Sequence, residues 1–499
     1  MGIKSTLAKP YAKLVSKSNK KWIKKPIDAQ NRIFKSLIKS AQNTAFGKDH
    51  RFEEIKSYED FKENVPIVDY EKIKSYIERI QEGEENVLWP KTPLYFCKTS
   101  GTTSGVKYIP ISRESIPFHI KCAKDAILSY IAETGDTNGL KGGNIFIQGS
   151  PELDETNLTP VGRLSGIVAH YVPWYLQSSN FPSFETNCIE DWEEKLDAII
   201  EETLCQNMTL ISGIPPWVQM YFERIVAKTG KQVLEVFPQF SLLIFGGVAF
   251  EPYRKSFRQL IGKNIPSIET YPSSEGFIAY QDTQTEEGML LCANHGIFYE
   301  FIPVEEYFDE KPTRLSLKDV EMGVDYALIL NTNAGLWGYS IGDTIRFVST
   351  APYRLVVSGR IKHFTSAFGE HVIGKEVENA LQIALEIYPI EINEFHVAPQ
   401  VNPQQGLPFH EWFIEFKKEP KNLEDFMAFL DENMQSQNTY YKDLIDGKVL
   451  RPLIVSKIKK GGFIQYMKSV GKLGGQNKVP RLANNRDIAD KLRDFFDGK

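Results

Sequence analysis

The chain has 499 residues, 59 Lys and Arg against 64 Asp and Glu, a net charge of −5, and 42% apolar and 25% charged residues. This is the composition of an ordinary globular protein, and with no strongly basic segment of domain size it excludes a nucleic-acid binder. The length allows roughly three domain-sized units, although one large α/β domain can absorb two of them.

In chain order, the first 25 residues carry eight lysines and no acid, and "MGIKST" formally fits the N-myristoylation pattern. They read as a partly helical basic arm that packs Tyr11, Leu14, Val15 and Trp22 on the body. With no apolar h-region, no secretory signal is expected. From 27 to 88, patterns such as "AQNRIFKSLIKSAQ" place apolar residues at helical spacing and predict helices outside a sheet. From 94 onward, strand-like runs alternate with longer helical ones: "GGNIFIQGS", the helix "CIEDWEEKLDAIIEETL", "MTLISGIPPWVQMYFERIVAKTG", then "FSLLIFGGVAF" and the helix "EPYRKSFRQLIG". Such alternation predicts an α/β architecture with a mostly parallel sheet and helices on its faces. Near 353–372 the character changes to a helix, two strands, a helix, a strand and a Gly/Lys-rich tail, as in a small α+β domain. The expected division is a large domain over 1–358 and a small one over 359–499, with Gly359 and Arg360 as the linker.

The five cysteines are scattered and never spaced C-x-x-C, so they read as buried thiols of a reducing compartment and imply no zinc site. The longest apolar run, "LLIFGGVAF", is far short of the ~18 residues of a membrane span. A soluble, cytoplasmic monomer without membrane insertion is expected.

Three short segments carry chemistry. The stretch Thr99, Ser100, Gly101, Thr102, Thr103, Ser104, Gly105, with Lys107 just beyond, lets backbone N–H groups crowd into a nest that suits phosphate oxygens. It is not a Walker loop, since it lacks G-K-[ST] and runs into a strand, and a polar surface hairpin is the alternative reading. "ETYPSSEGFIAY" (269–280) offers an aromatic, two hydroxyls and Glu275 in a turn. "LWGYSIGDTIRF" (336–347) places Asp343 beside Gly342, where a carboxylate can accept two hydrogen bonds from a ribose diol or simply cap a turn.

Taken together as T-S-G-T-T-S-G-x-K, Y-x-S-S-E, Y-x-x-G-D, G-R and a C-terminal lysine, the sequence resembles the adenylate-forming superfamily. Within it, "YPSSEGF", "FYEFIP", "GRIKHFTSAFGEHV" and "GGQNKVPRL" resemble the auxin-responsive acyl-acid amido synthetase family, over about residues 30 to 490. The resemblance implies ATP-dependent activation of a carboxylic acid as an acyl-adenylate, then transfer to an amino acid or other amine. It implies that Thr99 to Gly105 cradle the phosphates and that Tyr271, Ser273, Ser274 and Glu275 line the nucleotide site, Glu275 on Mg²⁺. Phe298 would flank the base, Asp343 would hold the ribose, and Lys478 would reach the α-phosphate from a small domain that moves between the two half-reactions.

Plant members carry an arginine on the helix after the phosphate loop, whereas "SIPFHIKCAKDAILSY" has His119 and Lys121, so a plant-hormone substrate is not implied. His119 is a candidate carboxylate anchor, and Ser165, Gly166 and His170 in "VGRLSGIVAHYVPW" a candidate wall of the acyl pocket. Glu370 and His371 beside His363 fit no common metal spacing and read as part of the family's hinge signature. Two other functions remain open: a coenzyme A ligase of the same superfamily, and a non-catalytic nucleotide-binding protein.

Overall fold

The computed structural model describes residues 3–497 other than 103–104, 156–157, 173–176, 178, 248–249, 251–252, 308, 362–363, 366, 371 and 471–478. The chain divides into two compact units, one of residues 1–99, 107–189 and 194–361, the other of 100–106, 190–193 and 362–499.

The first unit contains α1 (Ile3–Ile23), α2 (Pro26–Ala41), α3 (Ala45–Asp49), α4 (Tyr58–Asn64), α5 (Tyr70–Gln81) and α6 (Ile116–Thr134). α1 lies along α6 with a face that includes Val15 and Trp22 of the expected residues but not Tyr11 and Leu14. Ala8, Ala12, Asn19 and Trp22 are buried and Val15 packs on the core, whereas Tyr11 and Leu14 are 47% and 67% exposed. Positions 8, 12, 15, 19 and 22 keep the 3.6-residue period, and alanines at two of them let the helices approach closely. The expectation failed at Tyr11 and Leu14, because the close helix contact is made by Ala8 and Ala12 instead. α2 is pinned by buried Gln30, whose amide donates to the carbonyls of Ala293 (2.8 Å) and Ile297 (2.9 Å) while its oxygen accepts from the Tyr299 N–H at 2.9 Å.

Up to residue 360 the strands are β1 (Tyr95–Thr102), β2 (Gly105–Ile111), β3 (Gly143–Ile147), β4 (Val161–Gly162), β5 (Asn180–Phe181), β6 (Met208–Gly213), β7 (Leu242–Gly246), β8 (Ser267–Ser273), β9 (Gly276–Tyr280), β10 (Met289–Leu291), β11 (Ile297–Pro303), β12 (Leu315–Ser316), β13 (Asp325–Thr332), β14 (Tyr339–Thr350) and β15 (Tyr353–Arg360). β2-β1-β4 form a small sheet, and a 12-stranded sheet runs β12-β11-β13-β14-β15-β10-β9-β8-β7-β6-β3-β5. The expected parallel order holds from β8 to β5, where helices intervene between strands. From β8 to β12 the sheet is antiparallel, a correction to the expected mostly parallel sheet. The reason is local: beyond residue 273 most strands are joined by short turns, which reverse the chain, and not by crossover helices.

Gly359 and Arg360 are the last residues of β15, paired with Thr344 and Asp343, so this part of the expected linker is a strand end.

In the second unit, β16 (Phe364–Thr365) and β17 (Val372–Ile373) pair, and β18 (Glu391–Gln400), β19 (Phe409–Lys418) and β20 (Ile454–Lys457) form a sheet, antiparallel then parallel. Helices Gly374–Ile387 and Leu423–Gln437 match the helical patterns of the sequence. The Gly/Lys-rich tail is more ordered than its composition suggests, with helices Gly462–Ser469 and Asp487–Leu492. Phe463, Tyr466, Met467, Ala489 and Leu492 bury against Phe413, so four-residue apolar spacing outweighs the glycines.

The "FYEFIP" segment owes its glutamate to the core. Glu300 is fully buried, and its carboxylate accepts from Arg314 Nε (2.9 Å) and Nη2 (3.0 Å), Asn331 Nδ2 (2.8 Å) and the Tyr58 hydroxyl (2.9 Å). Arg314 also caps the carbonyls of Lys62 and Val65. Glu300→Gln keeps the shape but leaves the Arg314 charge unpaired in low dielectric, and it should cost about 3–5 kcal/mol in urea unfolding. A loss below ~1 kcal/mol would show the pair to be energetically idle.

Candidate functional site

The predicted phosphate loop is less of a loop than its composition suggests. β1 continues to Thr102 and β2 begins at Gly105, so the stretch is a pair of strands whose tip, Thr103 and Ser104, lies outside the described residues. Thr99 is half-buried on β1, and Ser100, Gly101, Thr102 and Gly105 continue the strand backbones.

The other two predicted segments meet each other, and one of them is tied to β1 at Cys97. β8 and β9 are joined by the two-residue turn Ser274-Glu275, with Ser273 paired to Gly276 and its hydroxyl donating to the Gly276 carbonyl at 3.1 Å. The Cys97 thiol of β1 donates to Ser274 Oγ at 3.0 Å, which ties the strand leading into the phosphate stretch to this turn. Burial and the nearby Glu275 push that thiol up to about 12, so it stays a neutral donor. The Tyr271 hydroxyl of β8 donates to Oδ2 of Asp343 on β14 at 2.5 Å.

Between β8 and β14 stand three other strands. Four strand spacings amount to roughly 19 Å in a flat sheet, far beyond the reach of these two side chains. The sheet therefore curls back on itself, and register shifts at Tyr271/Pro272 and at Thr344/Ile345 mark where it bends.

The corner so formed is electrostatically tense. Desolvation raises the Glu275 carboxyl above the ordinary range, Lys107 pulls it back, and Asp343 pushes it further up. Asp343 itself is 8% exposed. The Glu275 and Asp343 carboxylates, close enough for one to raise the other, are hard-oxygen donors of the kind that suits a divalent cation. Lys107, read from sequence only as a charge beyond the loop, belongs to this corner.

The remaining predicted residues divide. Phe298 is buried, its ring packed on Phe34 (4.9 Å) and Tyr58 (5.5 Å), so it serves the aromatic core and is not presented to a base. His119 is buried in α6 with Nδ1 unpartnered, and burial lowers it to about 4; the ring is neutral at pH 7 and offers a hydrogen bond without charge. Ser165 and Gly166 lie on α7 (Leu164–Ala169), and Gly166 sits so close to the Ser150 carbonyl that a Cβ would come within 2.5 Å of it. His170 is exposed and its Nε2 is engaged with the Pro151 carbonyl at 2.8 Å. Lys478, His363 and His371 lie outside the described residues. Glu370 pairs with His410 at 2.9 Å, a partner 40 residues away that no local motif announced.

One buried cation was missed altogether. Lys195 of the helix Trp192–Thr203 is 3% exposed and donates to the carbonyls of Gln148 (3.1 Å) and Asn187 (2.6 Å), and burial lowers it to about 8. The signal was present, since positions 192, 195, 196, 199, 200 and 203 form one helical stripe. By holding Gln148, Lys195 fixes the loop at the carboxyl end of β3, the edge where ligands bind in parallel sheets.

The chain matches the GH3 family N-terminal domain over residues 16–145, the GH3 family central domain over 290–360 and the GH3 family C-terminal domain over 375–487. It is 24% identical to the indole-3-acetic acid-amido synthetase GH3.15 of Arabidopsis thaliana, over 86% of each chain, and 23% identical to the jasmonoyl-L-amino acid synthetase JAR4 of Nicotiana attenuata, again over 86% of each. Among solved structures it resembles a GH3.15 acyl acid amido synthetase (TM-score 0.59, 17% identity, 97% of this chain and 96% of that one) and a 2-hydroxyisobutyryl-CoA ligase (TM-score 0.60, 13% identity, 94% and 91%). With all three domains matched in order and relatives aligned along most of the length, the chain belongs to the GH3 family.

Proposed function

We infer that this protein is an ATP-dependent acyl-acid amido synthetase of the cytoplasm, acting as a monomer. It joins a carboxylic acid to AMP with release of pyrophosphate, and then passes the acyl group to an amino acid or another amine. The observation that carries the reading is the meeting of the Tyr271–Asp343 pair, the Glu275 turn and Lys107 in one desolvated corner, in a chain of this family.

In the first half-reaction a carboxylate oxygen attacks the α-phosphorus, the bond to pyrophosphate breaks, and negative charge gathers on the phosphoryl oxygens. In this reading the phosphate stretch 99–105 and the Lys107 ammonium supply the positive groups for that charge. Asp343, oriented by the Tyr271 hydroxyl, accepts hydrogen bonds from the ribose. Glu275 offers its carboxylate to Mg²⁺, which when bound neutralises phosphate charge. Lys478 approaches the α-phosphate in this half only, and the hinge at Gly359 and Arg360, between residues 1–358 and 359–499, withdraws it so that the amine can enter. In the second half the amine nitrogen attacks the acyl carbon, AMP leaves, and the nitrogen loses a proton to solvent. The likeness to a coenzyme A ligase is one of fold and does not choose the acceptor.

Presented with a panel of carboxylic acids, the enzyme should release pyrophosphate only with an acid present and give an amide with an amino acid, and no thioester with coenzyme A. In the same single-turnover assay Lys478→Met should slow adenylation roughly 10²–10³-fold and spare transfer from a synthetic acyl-adenylate. Thioester formation, or equal losses in both halves, would overturn the assignment.

Asp343→Ala removes up to two charge-assisted hydrogen bonds of about 1.5–3 kcal/mol each. Apparent ATP affinity should fall at least tenfold, whereas Tyr271→Phe, which keeps the carboxylate, should lose less. Equal affinities in wild type and Asp343→Ala would remove Asp343 from the ribose site.

Because the Glu275 pKa is raised, the carboxylate takes up a proton earlier than usual on acidification, and proton and Mg²⁺ compete for the same oxygens. The acid limb of pyrophosphate release should therefore move to lower pH as Mg²⁺ is increased, and Glu275→Gln should abolish that movement. A limb indifferent to Mg²⁺ would separate Glu275 from the cation.

A further inference from the structure

Beneath α1, two cysteines and a histidine meet in the core. Cys122 comes from α6, while Cys292 and His295 bracket the turn between β10 and β11 with two residues between them. All three are buried, the two sulfurs are 3.6 Å apart, and one ligand atom from each lies within 4.8 Å of the others. The turn is held rigidly by the Gln30 contacts to Ala293 and Ile297.

The hydrogen-bonding of this cluster is incomplete. Nδ1 of His295, a residue 2% exposed, has no partner, and neither has Oδ1 of Asp125, which is 1% exposed and one helical turn from Cys122 on the same face of α6. Buried polar atoms are nearly always satisfied, so an unpartnered imidazole nitrogen within reach of two thiols points to a ligand there. The other polar atoms of His295 and Asp125 are engaged: His295 Nε2 meets Lys121 Nζ at 3.3 Å, and Asp125 Oδ2 accepts from Lys121 and from Asn19 at 2.8 Å. Trp22 and Phe118 stand edge-on to the imidazole and close the site.

We propose that Cys122, Cys292 and His295 bind one soft filled-shell cation, Zn²⁺ or Cu⁺, through two sulfurs and one imidazole nitrogen. With a metal–sulfur bond of about 2.3 Å, two thiolates on a tetrahedral ion lie roughly 3.8 Å apart, close to the sulfur spacing here. Binding Zn²⁺ would release two thiol protons and leave the two thiolates and the ion with no net charge. Burial otherwise holds the Cys122 thiol neutral and inert. Imidazole ligation through Nδ1 leaves the proton on Nε2 and turns Lys121 wholly onto Asp125 and Asn19. The cation would fasten α6 to the β10–β11 turn beneath α1, a structural role separate from the adenylation chemistry.

The test is the metal content of the full-length protein, produced in medium supplemented with zinc or with copper and stripped of loosely held metal by a chelator. Elemental analysis should give close to one equivalent of Zn²⁺ or Cu⁺ per chain, and the two media distinguish the ions. Cys122→Ser, Cys292→Ser and His295→Gln should each lose it, while Cys205→Ser, at an exposed thiol, should keep it. X-ray absorption of the wild type should show two sulfur ligands, a readout that stands if the core variants do not fold. Wild-type protein free of metal from both media, metal retained equally by all variants, or a shell without sulfur would each overturn the proposal.

Discussion

The curl of the long sheet is the constraint on which the proposed nucleotide corner depends. A flat sheet would hold the strands of Tyr271 and Asp343 apart, and only a bent one brings a phenol and a carboxylate into a 2.5 Å hydrogen bond. Long twisted sheets of this size relieve their twist by curling or splitting, and the register shifts show where this one does so. Once the bend exists, the Ser274-Glu275 turn and Lys107 follow, because Cys97 fastens the neighbouring small sheet to that turn.

The molecule treats its buried charges in two ways. Glu300 and Glu370 are saturated by partners, Arg314 with Asn331 and Tyr58 in one case, His410 and the Phe368 N–H in the other. Saturated carboxylates specify packing and have little left to offer a ligand. Glu275 is the contrary case, since its desolvation is only partly offset by Lys107 and a second carboxylate stands close by. That contrast separates architecture from chemistry better than motif membership does, since Glu300 sits in a family signature and serves the core.

Much was legible in the sequence because it is written in local patterns. Strand and helix alternation located the parallel half of the sheet, and hydroxyl, glycine and acid placements picked out Tyr271, Ser274, Glu275 and Asp343, which do converge. The misses share a cause. Phe298 and the face of α1 depended on which neighbours arrive from elsewhere, and Lys195 was hidden because a cation is read by default as solvent-facing although its helical position was apolar.

By itself the sequence determined the element types, the order of the chemical segments and the family, since these depend on residue periodicity and short-range backbone preference. The tertiary structure decided which of those segments touch: that β8 reaches β14 across three strands, that His410 answers Glu370, and that Cys122 stands 3.6 Å from Cys292 across 170 residues. Contacts of that kind arise from the collective burial of apolar surface and the bending of a twisted sheet, and those are properties of the whole packed unit that no local stretch of the chain contains.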